Sequence, residues 1–128
     1  MKIDGTEIAK QIRFEIKKEI SELSASPVLG VILATNNHGS EIYVDRKMNA
    51  CQEVGIQSVM VKADSIGEIK ETINTWNNRK EVNGVLLQLP IDGLDDPSDL
   101  FSLIDPSKDV DVFHPENTGL LCQGRPRY

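Results

Sequence analysis

Between residues 4 and 24 the apolar side chains Ile8, Ile12, Ile16 and Ile20 recur every four positions and lead to Leu23, with Lys, Glu and Arg on the far side. That spacing predicts an amphipathic helix with one apolar stripe, and Asp4 or Thr6 can cap its start. Ser26-Pro27 breaks the pattern. Residues 28–34, VLGVILA, are a continuous apolar run too short for a helix and read as a strand buried on both faces. A polar stretch, 35–39, leads into a second helix over about 40–54, ended by Gly55, with Val44, Met48 and Cys51 as its core stripe. Residues 56–63 read as a strand. Ser65 and Glu68 have the spacing of a capping box, and Ile66, Ile69, Ile73 and Trp76 give a third helix its buried face. GVLLQL at 84–89 is another buried strand, stopped by Pro90. An acidic loop, 91–96, precedes a short helix near 97–104. Beyond Asp105-Pro106 the periodicity is lost, and the tail to Tyr128 is expected to be irregular.

Strands alternating with helices imply parallel pairing through crossovers. The predicted architecture is a three-layer α/β domain, with a small, mostly parallel sheet and helices on both faces. A length of 128 residues suits one domain, here 1–128, and leaves no room for two full-sized ones. Fourteen Lys and Arg against twenty Asp and Glu give a net charge of −6, which argues against nucleic acid or an anionic membrane as partner. No apolar run approaches the ~20 residues of a membrane span. The opening Met1-Lys2-Ile3-Asp4-Gly5 lacks the apolar stretch of a signal peptide. Cys51 and Cys122 form neither a disulfide framework nor a zinc pattern. A cytoplasmic domain is expected.

In open parallel sheets ligands gather outside the carboxyl ends of the strands, and three features fall there. Ser40, Tyr43 and Lys47 share one narrow sector of the second helix, beside its core stripe. A lysine partly shielded in that way can act as a base or proton shuttle. Spacing alone favours a plainer reading, a snorkelling lysine beside a boundary tyrosine. Gln88 is the one polar residue in its apolar strand, and its amide needs a partner: Lys47, a ligand or nearby backbone. Asp109 and Asp111 flank one valine, so in an extended segment both carboxylates would face one side. A metal, the edge of an aminopyrimidine or simply solvent can meet them, and spacing favours solvent. His38 and His114 are isolated. Neither a G-x-G-x-x-G nor a P-loop is present.

Taken in order, SEIYVDRK (40–47), CQEVGI (51–56), GVLLQLP (84–90), DPSKDVD (105–111), FHP (113–115) and GRP (124–126) resemble the bifunctional methylenetetrahydrofolate dehydrogenase/methenyltetrahydrofolate cyclohydrolase family. Asp4-Gly5 before a long helix fits as well. The match runs over essentially the whole chain and turns over the plain readings of Tyr43, Lys47, Gln88 and Asp111.

The resemblance implies a tetrahydrofolate-binding catalytic domain of one-carbon metabolism. It makes Lys47 the central catalytic residue, assisting hydride removal from the methylene bridge and activating water against the methenyl cation. Gln88 would tune that lysine, Tyr43 stack on the folate ring system and Asp111 hold the pterin edge, with Ser40, Leu87 and Leu89 also lining the substrate. Beside a carbocationic substrate the neutral amine is favoured, and that form can take a proton.

Two departures stand out. The family has glycine after D-V-D where this chain has Val112, and valine adopts positive φ only at a cost, so the Asp111 loop is expected to differ. Full-length relatives continue into a Rossmann domain for NADP and a closing helix, whereas this chain stops at Tyr128. It is either an excised fragment or a naturally short relative, and the opening at Met1 favours the second. On this reading the chain binds no cofactor and no metal, and only the cyclohydrolase step is open to it alone. A separate Rossmann-domain partner would be needed for oxidation, and a monomer is favoured. The alternative is a non-catalytic folate-binding or interaction module.

Overall fold

A computed structural model describes residues 3–127. Met1, Lys2 and Tyr128, on which the readings of the chain's two ends partly rest, lie outside them. Eight elements follow in order: α1 (Gly5–Ser21), β1 (Val28–Leu33), α2 (His38–Val54), β2 (Gln57–Lys62), α3 (Ile66–Asn78), β3 (Gly84–Gln88), α4 (Ser98–Phe101) and α5 (Pro115–Cys122). The three strands form one parallel sheet in the order β2-β1-β3. The predicted layers are present. Val31, Leu33, Val44 and Leu86 pack together on the α2 side of the sheet. Ile32, Ala34, Ile69, Ile73, Trp76 and Leu87 pack on the other, joined by Leu100 and Phe101 of α4. Alternate residues of β1 thus feed two cores, as a strand buried on both faces must.

Local chemistry sets the element ends. The Asp4 carboxylate accepts the Thr6 and Glu7 N–H groups at the start of α1. Asn37 caps α2, which begins two residues before the expected Ser40, and Gly55 at φ +93° ends it in the left-handed region. The Ser65 hydroxyl accepts Glu68 N–H, but the Glu68 carboxylate turns back to Asp64 N rather than to the cap's own N–H. The capping box is therefore offset by one residue. Gly30 lies under the Trp76 ring so closely that a Cβ there would meet ring atoms at 2.5 Å.

Two expectations change, for α1 and for the tail. The apolar stripe of α1 is only partly covered: Ile8 and Ile12 remain 50% and 49% exposed. The helix rests beside α2 rather than on the sheet, tied by Arg13 to Glu53 at 3.2 Å and by Ile20 against Gly55. β2 is an edge strand with Val59 and Met60 exposed. The tail is not irregular, because His114 caps a further helix, α5, with its Nδ1 accepting Glu116 N–H and Pro115 in the first turn. Among the described residues no helix is long and apolar enough to cross a membrane.

Candidate active site

β1 is central. Its chain leaves through α2 to β2 on one side, while β3 lies on the other, so the carboxyl ends of β1 and β3 flank the point where strand order reverses. The two loops leaving that point are fastened to each other. The Asp92 carboxylate accepts the Thr35 hydroxyl at 2.6 Å and Asn36 N–H at 2.9 Å, and these bonds hold its carboxyl below the usual range, the Thr35 contribution being the larger. Thr35 Oγ1 in turn accepts Asn37 N–H, which sets the start of α2 and hence the direction of Ser40, Tyr43 and Lys47.

On that face the Lys47 amine donates to Gln88 Oε1 at 3.1 Å. Gln88 uses its own N–H group on Leu89 O at 2.9 Å. Both the lysine and the backbone partners anticipated for this amide are therefore engaged. A buried-strand glutamine tied at both ends holds the amine in one place, with its acceptor face fixed toward Nζ. The amine also stands 5.0 Å from the centre of the Tyr43 ring. Tyr43 itself is 56% exposed. Asp111 joins the group electrostatically. Burial pushes its carboxyl above the usual range, Lys47 pulls it back, and Asp109 adds to the rise.

Ser40 is buried in the first turn of α2. Leu89 lies partly exposed beside Gln88. Leu87 is not brought to this face: the pleat that points Gln88 toward α2 sends Leu87 into the core on the α3 side. Asp109 and Asp111 also part company. The segment is a turn, not extended: Asp109 is almost wholly buried, whereas Asp111 is an exposed residue of which only the carboxyl is partly screened from water. Val112, at the position after D-V-D, sits in the left-handed region at φ +62°. Missed altogether in the sequence were Thr35 with Asp92, and Asn117, whose neighbours His114 and Pro115 carried an unused helix-start signal. A separate hollow of about 90 Å³, lined by Ala34, Lys62, Ser65 and Ile69 among others, lies on the α3 side and includes none of Tyr43, Lys47, Gln88 and Asp111. Among the described residues no group of three or more His, Cys, Asp or Glu side chains is placed to hold a metal.

An open parallel sheet with a fixed amine, an amide partner and an exposed aromatic ring at its switch point defines a small-molecule-binding α/β domain. The chain belongs to the tetrahydrofolate dehydrogenase/cyclohydrolase family, whose catalytic-domain model matches residues 3–111. It is 42% identical over 129 residues to the bifunctional protein FolD of Nitratiruptor sp., covering 95% of this chain and 46% of that protein. Its fold superposes on the FolD methylenetetrahydrofolate dehydrogenase/cyclohydrolase of Campylobacter jejuni with a TM-score of 0.89, at 35% identity, over 94% of this chain and 45% of that one. The Trypanosoma brucei methylenetetrahydrofolate dehydrogenase-cyclohydrolase, solved with NADP and an inhibitor, gives a TM-score of 0.87 at 26% identity, over 94% and 43%. The chain thus spans just under half the length of the relatives it matches.

Proposed function

We propose that the chain binds a reduced folate across Tyr43 and Asp111 and hydrolyses 5,10-methenyltetrahydrofolate to 10-formyltetrahydrofolate with Lys47 as base. The observation that carries the reading is the Lys47–Gln88 hydrogen bond beside the exposed ring of Tyr43. A flat, cationic ring system suits that exposed aromatic side chain. Asp111 offers its carboxyl to the N–H groups of a pterin edge. In its neutral form Nζ takes one proton from water as the water oxygen bonds to the methenyl carbon. The remaining hydroxyl proton passes to N5 as the C–N5 bond breaks, leaving the formyl group on N10. Gln88 keeps the amine aimed through both changes of charge.

Oxidation of the methylene bridge needs a hydride acceptor, which NADP supplies when bound. The residues here do not fit it. The turn after β1 carries no closely spaced glycines, and its backbone and hydroxyl donors already serve Asp92 and Thr35, with a carboxylate standing where a phosphate would have to sit. In this proposal the oxidative step belongs to a nucleotide-binding body outside these 128 residues. The free thiols Cys51 and Cys122 suit a reducing compartment, in keeping with a cytoplasmic domain.

Titration calorimetry with tetrahydrofolate tests the binding half of the proposal. Saturable heat is expected for the wild type, with affinity weakened about two- to tenfold in Tyr43→Ala by loss of stacking worth roughly 0.5–1.5 kcal/mol. Equal affinity in the two proteins would overturn the assigned face.

A further inference from the structure

We infer that Asp109 and Asn117 are positioning residues, forming a buried clasp that fixes the turn carrying Asp111. The inference rests on the folate reading of the site. Both residues are almost wholly buried, at 2% and 1% exposure. One oxygen of Asp109 accepts Phe113 N–H at 3.2 Å; the other accepts His114 N–H at 2.9 Å and the Asn117 amide at 2.9 Å. The backbone from 109 to 114 is therefore closed around a single carboxylate, with Asp111 at the middle of the loop.

Both ends of the loop are anchored. Upstream, Asp109 pairs with Val85 at the edge of β3, where Val85 N–H donates to Lys108 O at 2.7 Å. Val110 lies across Gly84, where a Cβ would meet it at 2.6 Å. Downstream, Asn117 donates to Pro106 O at 2.8 Å and accepts Arg127 Nε–H at 2.9 Å, and the Thr118 hydroxyl donates to Val112 O at 2.7 Å. Val112 at φ +62° is held in a conformation that a β-branched residue rarely takes, and such strain persists only where the surroundings over-determine it. The clasp supplies that constraint. Asparagine cannot replace Asp109, because either orientation of its amide presents an NH₂ group to a backbone N–H.

The test reads the coupling across the turn. The charged groups that act on Asp111 are Lys47 and Asp109. Carboxyl-carbon NMR follows the Asp111 titration with and without Lys47→Met, in wild type, Asp109→Asn and Thr118→Val backgrounds. Thr118→Val is nearly isosteric, is exposed, and serves if Asp109→Asn fails to fold. Lys47→Met is expected to raise the Asp111 midpoint in the wild type, and that response is expected to shrink by about half or more in both loop variants, as a roughly doubled charge separation in a released loop would produce. Methenyltetrahydrofolate hydrolysis should show KM raised about tenfold with kcat nearly constant, the pattern of lost binding rather than lost chemistry. A folded loop variant with an undiminished response and unchanged KM would overturn the clasp, reducing Asp109 to a stabilising contact. If the wild type neither binds nor turns over the folate, the functional reading falls alone, and the Asp111 response still decides the clasp.

Discussion

Replacing Lys108 with methionine removes the cation that closes the end of α3. Its amine donates to Trp76 O, Asn77 O and Arg79 O at 2.7, 2.9 and 2.7 Å. Those carbonyls belong to the last turn and cap of α3, where Trp76 O and Arg79 O each accept one long backbone bond, at 3.3 Å, and where the helix dipole favours a positive charge. A hydrogen bond to a charged group contributes roughly 1.5–3 kcal/mol. Here three bonds share one charge, and the freed carbonyls lie near enough to the surface to be rehydrated, so the set is worth about 2–3 kcal/mol. With an unfolding entropy of roughly 2.1 cal/mol/K per residue, that loss lowers the Tm by about 10 °C. Urea unfolding of Lys108→Met should show a lower midpoint with unchanged slope. Methionine fills a similar volume, so packing is nearly conserved. A Tm drop below about 2 °C would refute the reasoning and leave the 105–111 segment anchored by something other than this amine.

Gly30→Ala places a Cβ against Trp76 and should cost about 1–3 kcal/mol by overpacking, read as a lower thermal midpoint; an unchanged midpoint would contradict the close approach. Asp111→Asn tests the electrostatics of the loop. A carboxyl whose folded pKa is raised contributes stability below its unfolded value, about 3.9, and loses it as pH rises through the folded one. At pH 7 the asparagine variant should therefore melt no lower than wild type, its advantage vanishing below about pH 3.9; an advantage that grows in acid would refute the assigned direction. Calorimetry with NADP at millimolar concentration should give no saturable heat, since the first βα turn is already occupied by Asp92. Saturable heat would reveal a nucleotide site elsewhere on the chain.

The fold was legible wherever the sequence spoke through burial. VLGVILA and GVLLQL named the two strands with buried faces, and Asp4, Ser65 and Gly55 marked helix ends within a residue or two. The stripe of α1 showed which face is apolar but carried no information on how completely it is covered. α5 escaped because its eight residues, PENTGLLC, have too few apolar positions to show a period. Within the candidate site, the helical spacing of Tyr43 and Lys47 and the lone amide of Gln88 were readable, because regular elements convert sequence spacing into direction. Asp111 was not. The two-residue parity of D-V-D holds only in extended chain, and the Asp109 carboxylate curls that chain into a turn. Leu87 fell on the wrong face for the complementary reason: there the parity does hold, and it alternates away from Gln88.

The most direct measurement is the decay of methenyltetrahydrofolate absorbance in the presence of wild type and Lys47→Met. Lys47 is partly exposed at the end of its side chain's reach and bonds only Gln88 among the hydrogen bonds of the described residues, so the substitution should leave the melting temperature nearly unchanged. A general base contributes roughly 10²–10⁴-fold. Wild type is predicted to accelerate hydrolysis above the spontaneous rate, and Lys47→Met to return it to that rate. Equal rates for the two folded proteins would contradict the assignment of Lys47 as the base, whatever their affinity for the folate.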